Sequence, residues 1–429
     1  MRATDTLLAF AAAPHRLPDA AAADTRRLLA DTLAVGAAGA TAPFAAEVLT
    51  AAQRWGAGTE ARLLGGGLRL PAPSAAFVNG FRIHCLEWDA VHEPAVVHAL
   101  SVVTATLLAV ADRAGGADPD AFLAAVAVGV EVAAGLGLAA TGPLRFFRPA
   151  TAGLLGAALA AARLEGLEPG RFADVLGLAV AQCAGTMQAH VEGSIALALQ
   201  IAHAARAALS AVDLAKAGLT GPHDALEGPY GYFALIEEGV PARCTEGLGD
   251  SWRIRDVSTK PWPSGRASHA LLAGLAAVRD RPVARVELHA PPLVSRLVGR
   301  PWRPDMSTAH ARLCGRFLGA LMLAEGTIDP RRFTPAAFED PALQALGARL
   351  NILDDGNPDP NALAPQRLHV TFGDGSCETI VIAATPGSPA APLAPGQLAA
   401  KLALARALAP GTCDPRLFDD PLAYATEGS

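Results

Sequence analysis

Pro119–Ala139, PDAFLAAVAVGVEVAAGLGLA, is the stretch whose reading decides the fold. Its only charged residues are Asp120 and Glu131. The preceding Asp118-Pro-Asp is a helix-opening signal, since an aspartate accepts hydrogen bonds from free N–H groups and proline suits the first helical position. A mostly apolar stretch of this length could in principle span a bilayer. Glu131 and the three glycines fit better a helix buried against other helices, and no membrane association is expected. With alanine on every face, such a helix needs close neighbours all round.

Working outward, the same texture runs from about residue 4 to 218. Further helices are expected over Asp19–Ala38, Pro43–Trp55, Ser74–Leu86, Ala95–Ala114, Thr151–Leu164, Pro169–Met187 (opened by Glu168-Pro-Gly) and Ile195–Ala217. After about Gly249 the texture changes. Val283–Leu288 and Leu368–Phe372 alternate in the strand manner, and Glu378–Ala383 is rich in β-branched residues. Gly373-Asp-Gly between the last two is a hairpin signal. Helical stretches at Thr308–Glu325 and Pro335–Leu346 lie between the strands. The expected fold is mainly α: a large all-α domain from residues 1–264 and 393–429, and a smaller α+β lid domain over 265–392. Pro386–Pro395 reads as a linker, and Gln397–Leu408 as a last helix returning to the helical domain.

The chain of 429 residues carries a net charge of −6, which gives no reason to expect nucleic acid as a partner. Its six cysteines form no CxxC pair. With no secretory signal they read as reduced thiols of a cytoplasmic protein, and no zinc or iron–sulfur pattern appears. Gly135-Leu-Gly lacks the strand that a dinucleotide loop requires. The acidic Asn351-Ile-Leu-Asp-Asp-Gly resembles a calcium loop only superficially and is expected to be solvated surface.

Two polar clusters stand out against this apolar background. NGFRIHCLEWDAVHEPAVVH, Asn79–His98, holds His84, His92, His98, Glu87, Asp89 and Glu93 within twenty residues. KPWPSGRASH, Lys260–His269, combines one of only three lysines with Arg266 and His269 in a loop-like frame. Remote clusters of titratable groups in an apolar chain point to one acid–base site assembled by folding.

These motifs, with TMQAHVEGS and LAKAGLTGPHDALEGPYGYF between them, resemble the MmgE/PrpD family in order and over nearly the whole chain. That family includes 2-methylcitrate dehydratases, cis-aconitate decarboxylases and an iminodisuccinate epimerase. The resemblance implies a helical domain with a smaller lid, a cleft between them, a homodimer, and neither metal nor organic cofactor. The chain departs from the family pattern at the site. The usual Asp-Phe-Asp-Asp-Thr is Glu87-Trp-Asp-Ala-Val91, and His-Pro-Ser is His98-Ala-Leu. A lysine and a histidine fall at Leu197 and Gln200, and a lid tyrosine at Phe317.

The family reactions form or quench a carbanion beside a carboxylate, which needs a poised base and a stabilised enolate-like charge. The resemblance makes His98 the first candidate base or acid, with Lys260 or His269 as its counterpart across the cleft. Arg266 would bind a substrate carboxylate, and Asp89 and Glu87 would orient a histidine or bind a hydroxyl. His92, Gln200 and Ser264 complete the expected substrate-binding set. Blander roles stand beside these: His98 as a helix cap, Arg266 as the partner of a carboxylate, His84 and His92 as packing residues.

The expected function is a cofactor-independent lyase on a small carboxylic acid, foremost a dehydratase. A decarboxylase of the cis-aconitate type, an isomerase, epimerase or cyclase, and a non-catalytic binding protein are the alternatives. Loss of a cation at Leu197 and of hydroxyls at Val91 and Phe317 suggests a substrate less anionic than citrate.

Overall fold

A computed structural model describes residues 2–359 and 361–428. The helix that decides the fold runs from Pro119 to Leu138, and Asp118 caps it by accepting from the Ala121 N–H at 2.8 Å. By length and composition it could cross a membrane, but it is a core helix, packed against Arg148–Leu164 and Ala99–Arg113. Its one buried acid, Glu131, lies 3.4 Å from Arg253 and accepts from the Arg253 N–H at 2.6 Å. Ala99–Arg113 is buried from Ala99 to Asp112. Ala72–His84 and Ala196–Lys216 complete the bundle around it. Small side chains permit this density. A Cβ on Gly156 would come within 2.3 Å of the Gly129 carbonyl oxygen.

The smaller unit is a four-stranded sheet in the order Leu350–Asp354, Val283–Ala290, Gln366–Phe372, Cys377–Ile382. The first pair is parallel and the other two antiparallel. Val286, Leu288, Leu368 and Val370 face helices His269–Val278 and Gly315–Glu325. Gly274 and Gly319 allow that approach, since a Cβ on either would sit 2.4 Å from Leu368 or Leu350.

Several expected boundaries moved. Pro169–Met187 is not one helix: a short 3-10 turn leads into Phe172–Val180, and Gln188–Glu192 follows after a loop containing Gly185 at φ +95. Pro335–Leu346 splits at Asp340, which caps a new helix beginning at Pro341. Thr308–Glu325 likewise splits, into Thr308–Ala311 and Gly315–Glu325. The segment read as an acidic surface loop begins as the edge strand Leu350–Asp354. The last long helix, Pro395–Leu408, packs on Asp19–Ala38.

Candidate active site

A small ladder brings the two polar clusters together. Val91–His92 pairs antiparallel with Val257–Ser258, setting Val91 opposite Ser258. The chain leaving Ser258 runs straight into Lys260, and the chain before Val91 carries Glu87 and Asp89. The segment between Ala72–His84 and Ala99–Arg113 is tightly folded. Glu87 sits at φ +54 and the β-branched Val96 at φ +53. Non-glycine residues in this region store local strain, of order 1–3 kcal/mol each, and such strain gathers at functional sites. His98 occupies the N-cap position of Ala99–Arg113 but its side chain makes no capping bond. Its ring turns to Asp89 instead.

Asp89 is the centre of the arrangement and is fully buried. Its Oδ2 lies 2.9 Å from His84 Nδ1 and 3.0 Å from His98 Nδ1, and it accepts the Ser101 hydroxyl. His84 Nε2 lies 3.4 Å from Glu87, whose Oε2 is 3.2 Å from Lys260 Nζ. Lys260 also donates to the Glu87 carbonyl at 2.9 Å and stands 4.0 Å from Asp89 Oδ1. A chain His98–Asp89–His84–Glu87–Lys260 results.

The charges along it follow from competition between burial and partners. Burial favours a neutral Asp89, but the two imidazoles overturn this and hold its carboxyl well below the usual range. Burial likewise opposes the Glu87 carboxylate, and Lys260, His84 and His98 bring its pKa down to about 2. For His84, burial disfavours charge, yet Asp89 and Glu87 outweigh it and raise the pKa. His98 is lowered: burial leads, Asp89 offsets part of it, and Lys260 adds to the fall. The neutral form of His98 is therefore favoured, with its Nδ1 3.0 Å from Asp89 Oδ2. His84, Asp89 and His98 present three donor atoms within 4.8 Å of one another. Both imidazoles turn Nδ1 to the same Asp89 oxygen, which also accepts the Ser101 hydroxyl.

His98 and Glu87 line a small cavity of about 70 Å³ between the helical domain and the smaller one. Val91, Val96, Leu144, Phe147, Leu197 and Leu313 form much of its apolar wall. The other polar members are His190 and Arg266. Arg300 Nη2 lies 3.2 and 3.1 Å from the two ring nitrogens of His190. That near-equality puts the guanidinium nitrogen over the ring face and not in its plane. Burial and then this cation lower the His190 pKa to about 4, so the ring is neutral.

Other expected site residues take different places. Arg266 reaches the cavity, but Glu93 holds it at 2.7 Å, the carbonyls of Pro386 and Thr385 take N–H groups at 2.6 and 3.1 Å, and His269 Nδ1 accepts at 3.3 Å. Its Nε alone is buried without a partner. Arg266, expected to bind a substrate carboxylate, is instead a strut paired with Glu93, with one spare donor. Neither Lys260 nor His269, expected opposite His98 across the cleft, lines the cavity: both are fully buried. Burial, with Arg266 and Lys260, pushes the His269 pKa well below its usual value, and its Nε2 lies 3.3 Å from the Ser264 carbonyl. Ser264 itself bonds Ser268 at 3.1 Å. His92 faces a second, wider groove beside Glu93 and Ser258, and burial with Arg253 brings its pKa to about 4. Gln200 lies outside the cavity, donating to the Thr186 carbonyl at 3.0 Å, whereas Leu197 one turn earlier is in the wall. Phe317 packs with Trp302, Phe333 and Phe338 inside the smaller domain and takes nothing from the site. His84, weighed as a packing residue, is part of the network. His190 carried a signal only as the histidine of TMQAHVEGS.

Two family models together cover most of the chain. The MmgE/PrpD N-terminal domain matches residues 8–245, and the MmgE/PrpD C-terminal domain matches residues 262–412. The chain belongs to the MmgE/PrpD family. Among MmgE/PrpD relatives, it is 26% identical over 406 residues to the cis-aconitate decarboxylase-like protein oryM of Aspergillus oryzae, covering 87% of this chain and 84% of that protein. It is 28% identical over 399 residues to the cis-aconitate decarboxylase of Homo sapiens, covering 86% and 81%. The Mus musculus cis-aconitate decarboxylase is 27% identical over 392 residues, covering 85% and 78%. Membership in MmgE/PrpD and these relatives support an enzyme of the lyase type acting on a carboxylic acid.

Proposed function

We propose that this MmgE/PrpD member releases carbon dioxide from a small unsaturated carboxylic acid less anionic than citrate, carrying an alkyl group where a further carboxylate would sit. The observation that carries the reading is the make-up of the cavity. Its proton carrier is His98 backed by Asp89, its wall is largely apolar, and its cationic lining residue among the described residues, Arg266, has one donor to spare. A tricarboxylate needs several charges compensated, and uncompensated buried charge costs several kcal/mol. The contrast with the charge-rich pocket such a substrate requires is sharpest at Leu197, an apolar wall residue.

The steps follow from these groups. A substrate carboxylate beside His98 raises the proton affinity of the imidazole, so acid and proton bind together. Arg266 Nε–H holds a carboxylate oxygen. The apolar wall withdraws water from the departing carboxylate while its charge spreads in the transition state. The carbon–carbon bond breaks, carbon dioxide leaves, and the electron pair delocalises into the conjugated double bond. His98 Nε2–H then delivers its proton to carbon, and Asp89 holds the ring in the tautomer that does so. The imidazole is reprotonated from solvent with the next substrate.

Dehydration is the second reading, because it needs a further proton donor for the departing hydroxyl and His190 is a second imidazole in the wall. Proton NMR in heavy water decides between them, with cis-aconitate, citrate, 2-methylcitrate and alkyl-substituted unsaturated acids as the panel and His98→Ala as control. Decarboxylation predicts loss of carbon dioxide and one deuterium on product carbon. Loss of water would establish the dehydratase instead, and deuterium in an otherwise unchanged acid an isomerase. Turnover that survives His98→Ala would refute the proton assignment. Comparable activity on 2-methylcitrate and on an alkylated monoacid would refute the argument from charge.

A further inference from the structure

Lysine is nearly absent from this chain: three stand among 35 basic residues. Lys216 is on the surface, paired with Glu165 at 2.5 Å. The other two are buried and converge on one short segment. Lys260 Nζ donates to the carbonyl of Glu87 at 2.9 Å, and Lys401 Nζ to the carbonyl of Trp88 at 3.1 Å. Those consecutive carbonyls belong to the peptide planes on either side of Trp88. Fixing both fixes the backbone that enters Asp89, immediately after the strained φ of Glu87. Lys401 comes from the Pro395–Leu408 helix, 313 residues away in sequence from the carbonyl it holds. Asp31 of the Asp19–Ala38 helix matches its charge at 2.6 Å, and both side chains are 1% exposed. Neither residue lines the cavity.

Stability alone does not account for this pair. Burying an ammonium and a carboxylate is unfavourable, and an apolar pair of similar volume usually does as well or better. A compact ammonium with three donors can serve a carboxylate and a carbonyl together, which a planar guanidinium does in a larger space. We infer that Lys401, anchored by Asp31, is a positioning residue that holds the Trp88 carbonyl and so aims Asp89 at His84, His98 and Ser101. The inference rests on the reading of that cluster as the reaction site.

The test uses full-length Lys401→Met and the double variant Asp31→Leu/Lys401→Met, followed by melting temperature and by NMR titration of ring-labelled His84 and His98. Lys401→Met strands a buried carboxylate and melts below the parent. The double variant removes both charges and recovers the parental melting temperature. In both, the His98 titration moves by about half a pH unit or more, because Asp89 is no longer held in place. Where a substrate is in hand, kcat falls on the order of tenfold with KM little changed, as small misplacements of catalytic groups do. A double variant with parental melting and parental His84 and His98 titrations would overturn the inference, leaving a merely structural pair. The titrations need no substrate. Silence toward every acid in the panel therefore counts against the proposed reaction and not against this positioning role.

Discussion

Replacing Glu87 with glutamine puts the electrostatics of the site to a quantitative test. The carboxyl sits at about 2 against an ordinary 4.5: burial works against the charge, and Lys260 at 3.2 Å, His84 at 3.4 Å and His98 overcome it. A displacement of that size corresponds to about 3 kcal/mol favouring the carboxylate in the folded state. With the side chain 13% exposed, little of this is lost to solvent screening. Because the folded pKa lies below the unfolded one, the stabilisation is complete above about pH 5 and is lost as the pH falls through about 2. Glu87→Gln should therefore be less stable than the parent by about 3 kcal/mol at pH 7. The gap should narrow below pH 4.5 and close near pH 2. Urea unfolding at a series of pH values, followed by tryptophan fluorescence with a common slope, measures it. The His84 titration, raised in part by Glu87, should fall in the same variant. A gap under about 1 kcal/mol at pH 7, or one unchanged between pH 7 and 3, would refute the network as drawn.

Three other outcomes are expected. His98→Ala should lower turnover by about 10²- to 10⁴-fold and also cost stability, since buried Asp89 then keeps only His84 and Ser101 as partners; turnover within a few-fold of the parent would remove His98 as the proton carrier. Arg266→Leu should destabilise by roughly 3–5 kcal/mol, because Glu93 is left unpaired in a largely buried place. Glu93→Gln/Arg266→Leu should recover much of that loss, and a variant that changes only KM would restore the carboxylate-binding reading. Leu197→Lys should shift preference toward more highly charged acids, read as a ratio of kcat/KM for citrate-like over alkylated substrates, and an unchanged ratio would remove Leu197 from the specificity argument.

The helical half was legible because alanine-rich apolar stretches with Asp-Pro or Glu-Pro openings leave few alternatives, and Asp19–Ala38 emerged with its expected ends. Errors came where local chemistry interrupts a run. Asp340-Pro341 is a cap followed by a first-position proline, so the break it makes could have been read directly. Leu350 and Ile352 alternate in strand fashion, but the acids after them drew attention to the tail and away from the strand. At the site, residue types were visible and their partners were not. Arg266 and Glu93 are 173 positions apart, and only folding shows that this guanidinium is already engaged. Phe317 illustrates the converse, since a departure from the family pattern in the lid can lie in a core away from the site.

The scarcity of lysine has a practical consequence. The Lys216 side chain is 49% exposed, whereas those of Lys260 and Lys401 are 0% and 1% exposed. An amine-directed acylating reagent applied to the native protein should mark Lys216 among the three lysine side chains and spare the other two. Mass-spectrometric uptake at Lys260 and Lys401 then becomes a clock for local opening of the turn at Trp88 and of the Pro395–Leu408 helix. Equal rates at the two positions would identify them as members of one cooperative unit. A faster rate at Lys401 would mean that the Pro395–Leu408 helix peels away first.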